Sequence, residues 1–194
     1  MRKLLIPQIS RSDLPPIIGV ALLGGLIGGA YGIIHDQVTY AISPEYFTKL
    51  KFPQFQYADF GLGDSVFVST IGFLATWWVG LIGAWFLARR LIPNQPRDTA
   101  YRQICAGIIV IFLFGLSFGV CGYALGLWRG PTADYSSWNA AFHRFHVSDK
   151  WAFVRVGYIH NAGYIGGLLG LIVALTTIRP HKNQISPPPD EPQG

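Results

Sequence analysis

Charged residues and cysteines are scarce in this sequence. Only 13% of its 194 residues are Asp, Glu, Lys or Arg, about half the share typical of soluble domains, while 51% are hydrophobic. This balance excludes a disordered chain and argues against an ordinary soluble domain. Cys105 and Cys121 lie sixteen positions apart in one predicted helix, on the order of 24 Å, so they cannot pair with each other. A disulfide framework and a thiolate metal site are therefore excluded.

Recognisable catalytic motifs are also missing. The sequence has no Gly-x-Ser-x-Gly elbow, no Walker loop and no His-Glu-x-x-His motif, so nothing in it argues for an enzyme. Gly61-Leu62-Gly63 resembles the start of a dinucleotide-binding turn, but it follows a polar loop and precedes a predicted membrane span. The net charge is +5, yet Lys and Arg are spread along the chain rather than clustered, so we expect no nucleic-acid partner.

Four long stretches contain no Asp, Glu, Lys or Arg at all. Each exceeds the roughly 20 residues that a helix needs to cross the hydrocarbon of a bilayer. The sequence therefore predicts an all-α membrane protein with four transmembrane helices, formed by one domain over residues 1–182. A disordered, Pro-rich tail is predicted at 183–194. The predicted spans are 15–35, 65–88, 103–128 and 156–178.

The distribution of positive charge predicts the topology. Nine Lys and Arg residues lie in the two terminal segments and the short middle connection, whereas six lie in the two long connections, together with six acids. By the positive-inside rule, both termini lie in the cytoplasm and the two long connections lie outside.

Glycines at intervals of four occur in three of the predicted spans. Such stripes let helices approach to backbone contact, which holds helices together in lipid. We expect a compact bundle, and a homo-oligomer or a membrane-protein partner remains open because similar stripes also join separate chains. The predicted packing positions are Gly24, Gly28 and Gly32 in the first span, Gly115 and Gly119 followed by Gly122 and Gly126 in the third, and Gly163 and Gly167 with, offset from them, Gly166 and Gly170 in the fourth.

Aromatic residues are concentrated in the two long outer connections, 35–64 and 129–155. Solvated loops would not need so many rings, so we expect an aromatic cap that folds over the outer end of the bundle or lies in the membrane interface. Ser43-Pro44-Glu45 predicts a short interfacial helix from Pro44 to about Leu50. Trp138, Ala141, Phe142 and Phe145 have the spacing of a second one.

Histidine placement is the most specific chemical feature. Four of the five histidines map to the outer side, and imidazole is the commonest protein ligand of Zn²⁺, Cu and Fe. We expect the two histidines of the first and last spans to lie at one depth and face each other, covered by one from the second connection. The candidate ligands are His35, His143, His146 and His160, with Asp36 or Glu45 as an oxygen ligand or supporting partner.

The alternative is that these histidines have no joint role. His143 and His146 would then form the wet side of an amphipathic helix, and His160 with Asn161 would hydrogen-bond across the bundle. No His-x-x-x-His or Glu-x-x-His pair strengthens the metal hypothesis.

Two segments resemble a known group of proteins. Residues 35–49, HDQVTYAISPEYFTK, and residues 158–164, YIHNAGY, are similar to segments of small, uncharacterised bacterial multi-pass membrane proteins. The resemblance implies a protein of the bacterial inner membrane and brings no activity with it. It does cover the segments that contain His35 and His160.

Three classes of function remain. The first is a small accessory or structural subunit whose aromatic cap binds a partner or closes the bundle. The second is a metal-binding or redox membrane protein that uses the outer histidines. The third is a small-solute channel or carrier, although no charged residue lies inside any predicted span to form an ion or proton relay.

Overall fold

The computed structural model describes residues 9–180, which form helices and connections without any strand in that range. The predicted tail at 183–194 lies outside the described residues. Four of the helices are long and apolar enough to cross a membrane, as the sequence predicts. The α-helices are α1 (Leu14–Ile42), α2 (Phe52–Phe55), α3 (Asp64–Leu91), α4 (Arg97–Arg129), α5 (Asn139–Phe145) and α6 (Lys150–Thr177).

Short helical segments occupy both long connections. In the first, the π-helix Tyr46–Lys51 precedes α2, and a 3₁₀ turn, Gln56–Ala58, follows it. In the second, the 3₁₀ turn Ser136–Trp138 leads into α5. The predicted short helices are therefore present, although the first is mostly π-helical and continues to Lys51. Together these connections, residues 43–63 and 130–149, form what we call the aromatic cap.

Local sequence explains where the long helices begin and end. Prolines occupy the first turn of α1, where their missing N–H costs no hydrogen bond. Asp149 caps α6 by accepting a hydrogen bond of 2.9 Å from the backbone N–H of Ala152. Gly63 before α3 and Gly130 after α4 have φ of +90° and +71°, a conformation that glycine adopts without strain.

Three long helices extend well beyond the apolar runs that predicted them. Helix α1 continues to Ile42, α4 begins at Arg97 and α6 begins at Lys150. Polar and charged residues continue a helix readily at its ends, so an apolar run underestimates the helix length. Contrary to expectation, Asp36 lies inside α1 and is only 4% exposed, so a helix long enough to cross a membrane does contain an acid.

Helices α1 and α3 form one tightly packed pair through the predicted glycines of α1. A Cβ added at Gly24 would collide with Ala84, and one added at Gly32 would collide with the carbonyl oxygen of Gly72. Thr76 Oγ1 of α3 also donates a hydrogen bond of 2.8 Å to the carbonyl oxygen of Gly28. The backbones of this pair are thus in direct contact, as small-residue seams allow.

Helices α4 and α6 form the second tight pair, and their closest approaches lie at the second glycine pair predicted in each helix. A Cβ added at Gly122 would lie 2.5 Å from the carbonyl oxygen of Tyr158, and one added at Gly166 would lie 2.5 Å from the carbonyl oxygen of Phe114. The other predicted glycines of these helices have more room, although a Cβ added at Gly115 would still touch the carbonyl oxygen of Gly163. An added Cβ would have no neighbour nearer than 3.7 Å at Gly115, Gly119, Gly163 and Gly167.

The two pairs contact each other only sparsely along their length. Apolar clusters join them at both ends. At the cap end, Phe47, Phe142 and Phe153 belong to one buried cluster, and at the opposite end Ile17 and Ile104 belong to another. Between the clusters, the small residues of all four long helices leave a central space.

Candidate metal centre

The central space is a cavity of about 130 Å³ between the two helix pairs. Glycine and aliphatic side chains line most of it, including Gly115, Gly163 and Gly167 of the predicted stripes. Polar side chains are concentrated where the cavity approaches the cap. These are Tyr31, His35 and Asp36 of α1, Lys51 of the cap, and His160 and Tyr164 of α6.

Three potential metal ligands converge at this polar end. One ligand atom from each of His35, Asp36 and His160 lies within 4.8 Å of the others. Nε2 of His160 is 3.7 Å from Oδ1 of Asp36, and the two imidazole rings stand perpendicular with centroids 4.9 Å apart. We call these three residues the His-Asp-His group. The expected meeting of His35 and His160 is therefore present in the structure.

The group is buried, and one of its atoms lacks a partner. His160 is 8% exposed, and its Nε2 has no hydrogen-bond partner among the described residues. Leaving such a nitrogen unsatisfied costs about 1–3 kcal/mol, so native structures rarely do so without a functional reason. Nε2 is also the atom that lies nearest the Asp36 carboxylate. This position suits a metal ligand.

Aromatic neighbours hold both imidazoles in place. Tyr31 stacks on His35 with centroids 5.5 Å apart, and its hydroxyl lies 3.5 Å from Nδ1 of that ring. Tyr46 of the cap stacks on His160 at 5.2 Å, nearly parallel, and Phe47 lies beside it at 6.3 Å. A hydrogen bond to one ring nitrogen is the usual way that proteins orient a metal-binding histidine.

Lys51 brings a positive charge to the same end of the cavity. It ends the π-helix of the cap, and its Nζ lies 5.9 Å from the centroid of the Tyr46 ring. Burial lowers the pKa of Lys51, and the nearby Asp36 carboxylate opposes that shift. The cap thus supplies both a lid of aromatic rings and a cation to this group.

The other histidines predicted as ligands lie elsewhere. His143 and His146 are exposed, and neither belongs to the His-Asp-His group. Phe142 occupies the inward face of α5 and is 4% exposed, which leaves its histidine neighbours at the surface. Tyr46 and Phe47 take the place over His160 that we expected a histidine of the second connection to fill.

Glu45, the other predicted oxygen ligand, has a different role. Its Oε2 accepts hydrogen bonds of 2.8 Å from the backbone N–H groups of Ser148 and Asp149, and its Oε1 is paired with Lys49. Lys49 Nζ also donates to the carbonyl oxygen of His146 at 2.5 Å. Glu45 and Lys49 therefore fasten the first connection of the cap to the second.

Sequence reasoning did not single out Tyr31, Tyr46 or Lys51. Tyr31 precedes His35 by four positions, a spacing that places two side chains on the same helix face and could have indicated their contact. The roles of Tyr46 and Lys51 depend on how the cap folds back over α6, for which the sequence contains no local signal.

Comparison of the chain with protein-family models, with curated proteins and with solved structures finds no match. The chemistry of the site is therefore the basis for assigning a function.

Proposed function

We propose that this chain is a multi-pass membrane protein that binds a divalent transition-metal ion through His35, Asp36 and His160. The observation that carries the proposal is the convergence of these three side chains around the buried, unpartnered Nε2 of His160. Two imidazoles and one carboxylate suit Zn²⁺ and Fe²⁺, and imidazole also suits Cu²⁺.

The geometry is compatible with this role after small side-chain movements. Ligand atoms around a tetrahedral zinc ion lie about 3.3 Å apart, because Zn–N and Zn–O bonds measure about 2.0–2.1 Å. The separation between His160 and Asp36 is 3.7 Å, and the largest in the group is within 4.8 Å. With the Tyr31 hydroxyl on Nδ1 of His35, Nε2 of that ring is the nitrogen free to coordinate. Three protein ligands leave one coordination position open.

Insertion into a membrane is supported by the outward faces of the long helices. Large aliphatic side chains such as Leu22, Leu26, Leu113 and Leu168 are more than half exposed, a surface that is unfavourable in water and suited to lipid. With both termini in the cytoplasm and the chain in the bacterial inner membrane, the metal would lie near the outer surface. Aromatic rings of the cap would separate it from water.

A small accessory or structural subunit is the second candidate function. The cap keeps most of its rings inside its own cluster, as with Tyr135 and Phe142, which favours closing the bundle over binding a partner. Trp128, Tyr57 and Phe60 are nevertheless at least 70% exposed, and they offer a surface for another membrane protein or a second copy of this chain. A channel or carrier has less support, because Thr76 is the one polar side chain that lines the cavity away from its cap end among the described residues.

Metal analysis of the purified protein tests the proposal. Protein without a histidine tag is stripped with a chelator, titrated with Zn²⁺ and assayed for bound metal by elemental mass spectrometry. We expect one tightly bound zinc ion per chain. His160→Asn should weaken binding at least tenfold, whereas His143→Asn, at an exposed histidine, should not. Equal binding by both variants, or none by the wild type, would refute the metal centre.

A further inference from the structure

The end of the bundle opposite the cap is rich in arginine. Helices α1 and α4 begin there and α3 and α6 end there, around the apolar cluster of that end. Nη2 of Arg97 donates a hydrogen bond of 3.2 Å to the carbonyl oxygen of Ser12, which ties the start of α4 to the segment before α1. The described acids of these segments are Asp13 and Asp98. The arginines of this end are Arg11, Arg89, Arg90, Arg97, Arg102 and Arg179.

This positive charge is not neutralised within the described part of the protein. The ion pairs found in that part both lie at the cap end, and Asp13 is hydrogen-bonded to Ser10 instead of to an arginine. Arg97 occupies the first position of α4, where the helix dipole is also positive and no side chain caps the helix. An anion from outside the chain would therefore be attracted to this end.

Arg89 and Arg90, in the last turn of α3, have no polar partner among the described residues. The Nε atom of each is buried without a hydrogen bond, and neither guanidinium is paired with a carboxylate. Arg89 lies over Trp85, with its Cζ 5.2 Å from the centroid of the ring. Guanidinium groups bind phosphate oxygens through paired N–H donors. The two adjacent arginines are thus suited to a phosphate.

An exposed apolar ridge leads along α3 to these arginines. Trp78, Ile82 and Phe86 precede Arg90 at successive intervals of four, a spacing that aligns side chains along one ridge of a helix. Their exposed fractions are 49%, 41% and 41%. From Trp78 to Arg90 the ridge is about 18 Å long, close to the roughly 15 Å of hydrocarbon in one leaflet of a bilayer. A phospholipid with its phosphate at Arg90 would lay an acyl chain along this ridge.

We propose that Arg89 and Arg90 bind the phosphate of an anionic phospholipid, whose acyl chain lies along Trp78, Ile82 and Phe86. The partner is a lipid with a net negative head group, such as phosphatidylglycerol, because a zwitterionic lipid would not offset the excess positive charge. This inference is independent of the metal centre and rests only on the proposed insertion into a membrane. The positive-inside rule assigns the lipid to the cytoplasmic leaflet.

Two double variants, matched in charge, test the arginine site. Arg89→Gln with Arg90→Gln removes both guanidinium groups of the site. Arg144→Gln with Lys150→Gln is the control, since these two cations are exposed at the cap end. Each double variant removes two positive charges, so a loss of general charge attraction affects both equally. Thermal unfolding in detergent without added lipid checks that both variants fold.

Two further variants test the ridge. Phe86→Ala removes its exposed ring next to the arginines, and Leu168→Ala is the control, because Leu168 is 61% exposed on a different helix. Phe86→Ala should weaken phosphatidylglycerol binding severalfold, since it removes apolar surface from the contact with the chain. Leu168→Ala should leave that binding unchanged.

Native mass spectrometry of protein in detergent micelles measures the binding of dioleoylphosphatidylglycerol and of dioleoylphosphatidylcholine, which share the same acyl chains. Glycerol phosphate, which lacks the chains, is titrated in parallel. We expect the wild type and the cap-end double variant to bind phosphatidylglycerol roughly tenfold or more tightly than phosphatidylcholine. The variant that lacks Arg89 and Arg90 should lose this preference. Glycerol phosphate should bind far more weakly than phosphatidylglycerol.

Each contrary outcome overturns a stated part of the inference. Equal binding of the two lipids by the wild type, or a preference that survives the loss of Arg89 and Arg90, would overturn the site. Glycerol phosphate binding as tightly as phosphatidylglycerol would make the ligand a soluble anion. Equal effects of Phe86→Ala and Leu168→Ala would overturn the position of the chain. Failure of the protein to float with phosphatidylcholine liposomes in a density gradient would overturn membrane insertion as well, whereas zinc binding bears on neither.

Discussion

Nε2 of His160 and Oδ1 of Asp36 lie 3.7 Å apart, and both residues are buried. This pair joins the two halves of the molecule, because Asp36 belongs to α1 and His160 to α6. Residues from separate helix pairs meet here through polar atoms, although the surrounding contacts between the pairs are sparse. The relationship makes Asp36 the most informative position for mutation.

Asp36→Asn should change stability in opposite directions without and with metal. Without metal, the variant removes a buried carboxylate and should be at least as stable as the wild type. With zinc at 100 times the dissociation constant, the wild type should gain about 2.7 kcal/mol, and the variant should gain much less. Thermal unfolding in detergent, recorded with chelator and with Zn²⁺, measures both effects. Equal zinc stabilisation of the two proteins would exclude Asp36 as a ligand.

Glu45→Gln should loosen the cap by about 1 kcal/mol, because a neutral amide accepts weaker hydrogen bonds than a carboxylate does. The bonds affected are those from Lys49 and from the backbone N–H groups of Ser148 and Asp149. Chemical denaturation in detergent micelles at neutral pH measures the loss. Asp59→Asn is the control, since Asp59 accepts only a local hydrogen bond from Gly61.

The stabilising effect of Glu45 should also depend on pH. Burial alone would raise the pKa of Glu45, but hydrogen bonds from Lys49 and from the backbone of Asp149 and Ser148 outweigh it, and the pKa is lowered from 4.5. Stability from a lowered pKa is fully present above the unfolded value and is lost as pH falls through the folded value. Between pH 7 and pH 3, the wild type should therefore lose more unfolding free energy than Glu45→Gln. Parallel profiles would contradict this role.

Gly32→Ala should destabilise the protein much more than Gly119→Ala. A methyl group at Gly32 collides with the backbone of Gly72, whereas one at Gly119 finds its nearest atom, in Ile159, at 3.8 Å. Overpacking of this kind costs about 1–3 kcal/mol, and a rigid backbone neighbour favours the upper end. Midpoints of thermal unfolding in one detergent compare the two variants. Equal midpoints would mean that α1 and α3 are not held at backbone contact.

Single cysteines at Ser137 and Gln184 should label from opposite sides of the membrane. Ser137 is exposed in the aromatic cap, and Gln184 belongs to the C-terminal segment that the positive-inside rule assigns to the cytoplasm. The native Cys105 and Cys121 are replaced by serine first, because both are exposed. An impermeant maleimide added to intact cells should modify only the Ser137 variant. Labelling of the Gln184 variant from outside would reverse the topology.

The number and order of the long helices could be predicted from the sequence, but not their full lengths. Charge-free runs report how much chain is apolar, and Asp36 ended the first run although α1 continues to Ile42. The glycines of α1 were recognised as a packing seam, and in α4 and α6 the spacing marked Gly122 and Gly166, which make the closest contacts, together with glycines such as Gly167 that have room around them. Spacing identifies a small-residue stripe without saying whether the stripe faces a helix or a cavity.

The candidate site was only half predictable for a related reason. His35 and His160 could be placed at one depth, because each lies near the cap end of its helix. Asp36 was proposed as an oxygen ligand or supporting partner, but adjacent residues on a helix point in different directions, so its approach to His160 could not be deduced from the sequence. The exposure of His143 and His146 depends on the packing of Phe142 in the cap.

The division of the bundle into two tight helix pairs bears on the order in which the molecule is assembled. Helices α1 and α3 are consecutive long segments of the chain, as are α4 and α6, so each pair can close through nearby contacts as soon as it has been synthesised. Residue His160 belongs to the pair that is made last. The cavity and the His-Asp-His group therefore exist only after the two finished hairpins have docked, so the site forms together with the two apolar clusters that join the pairs.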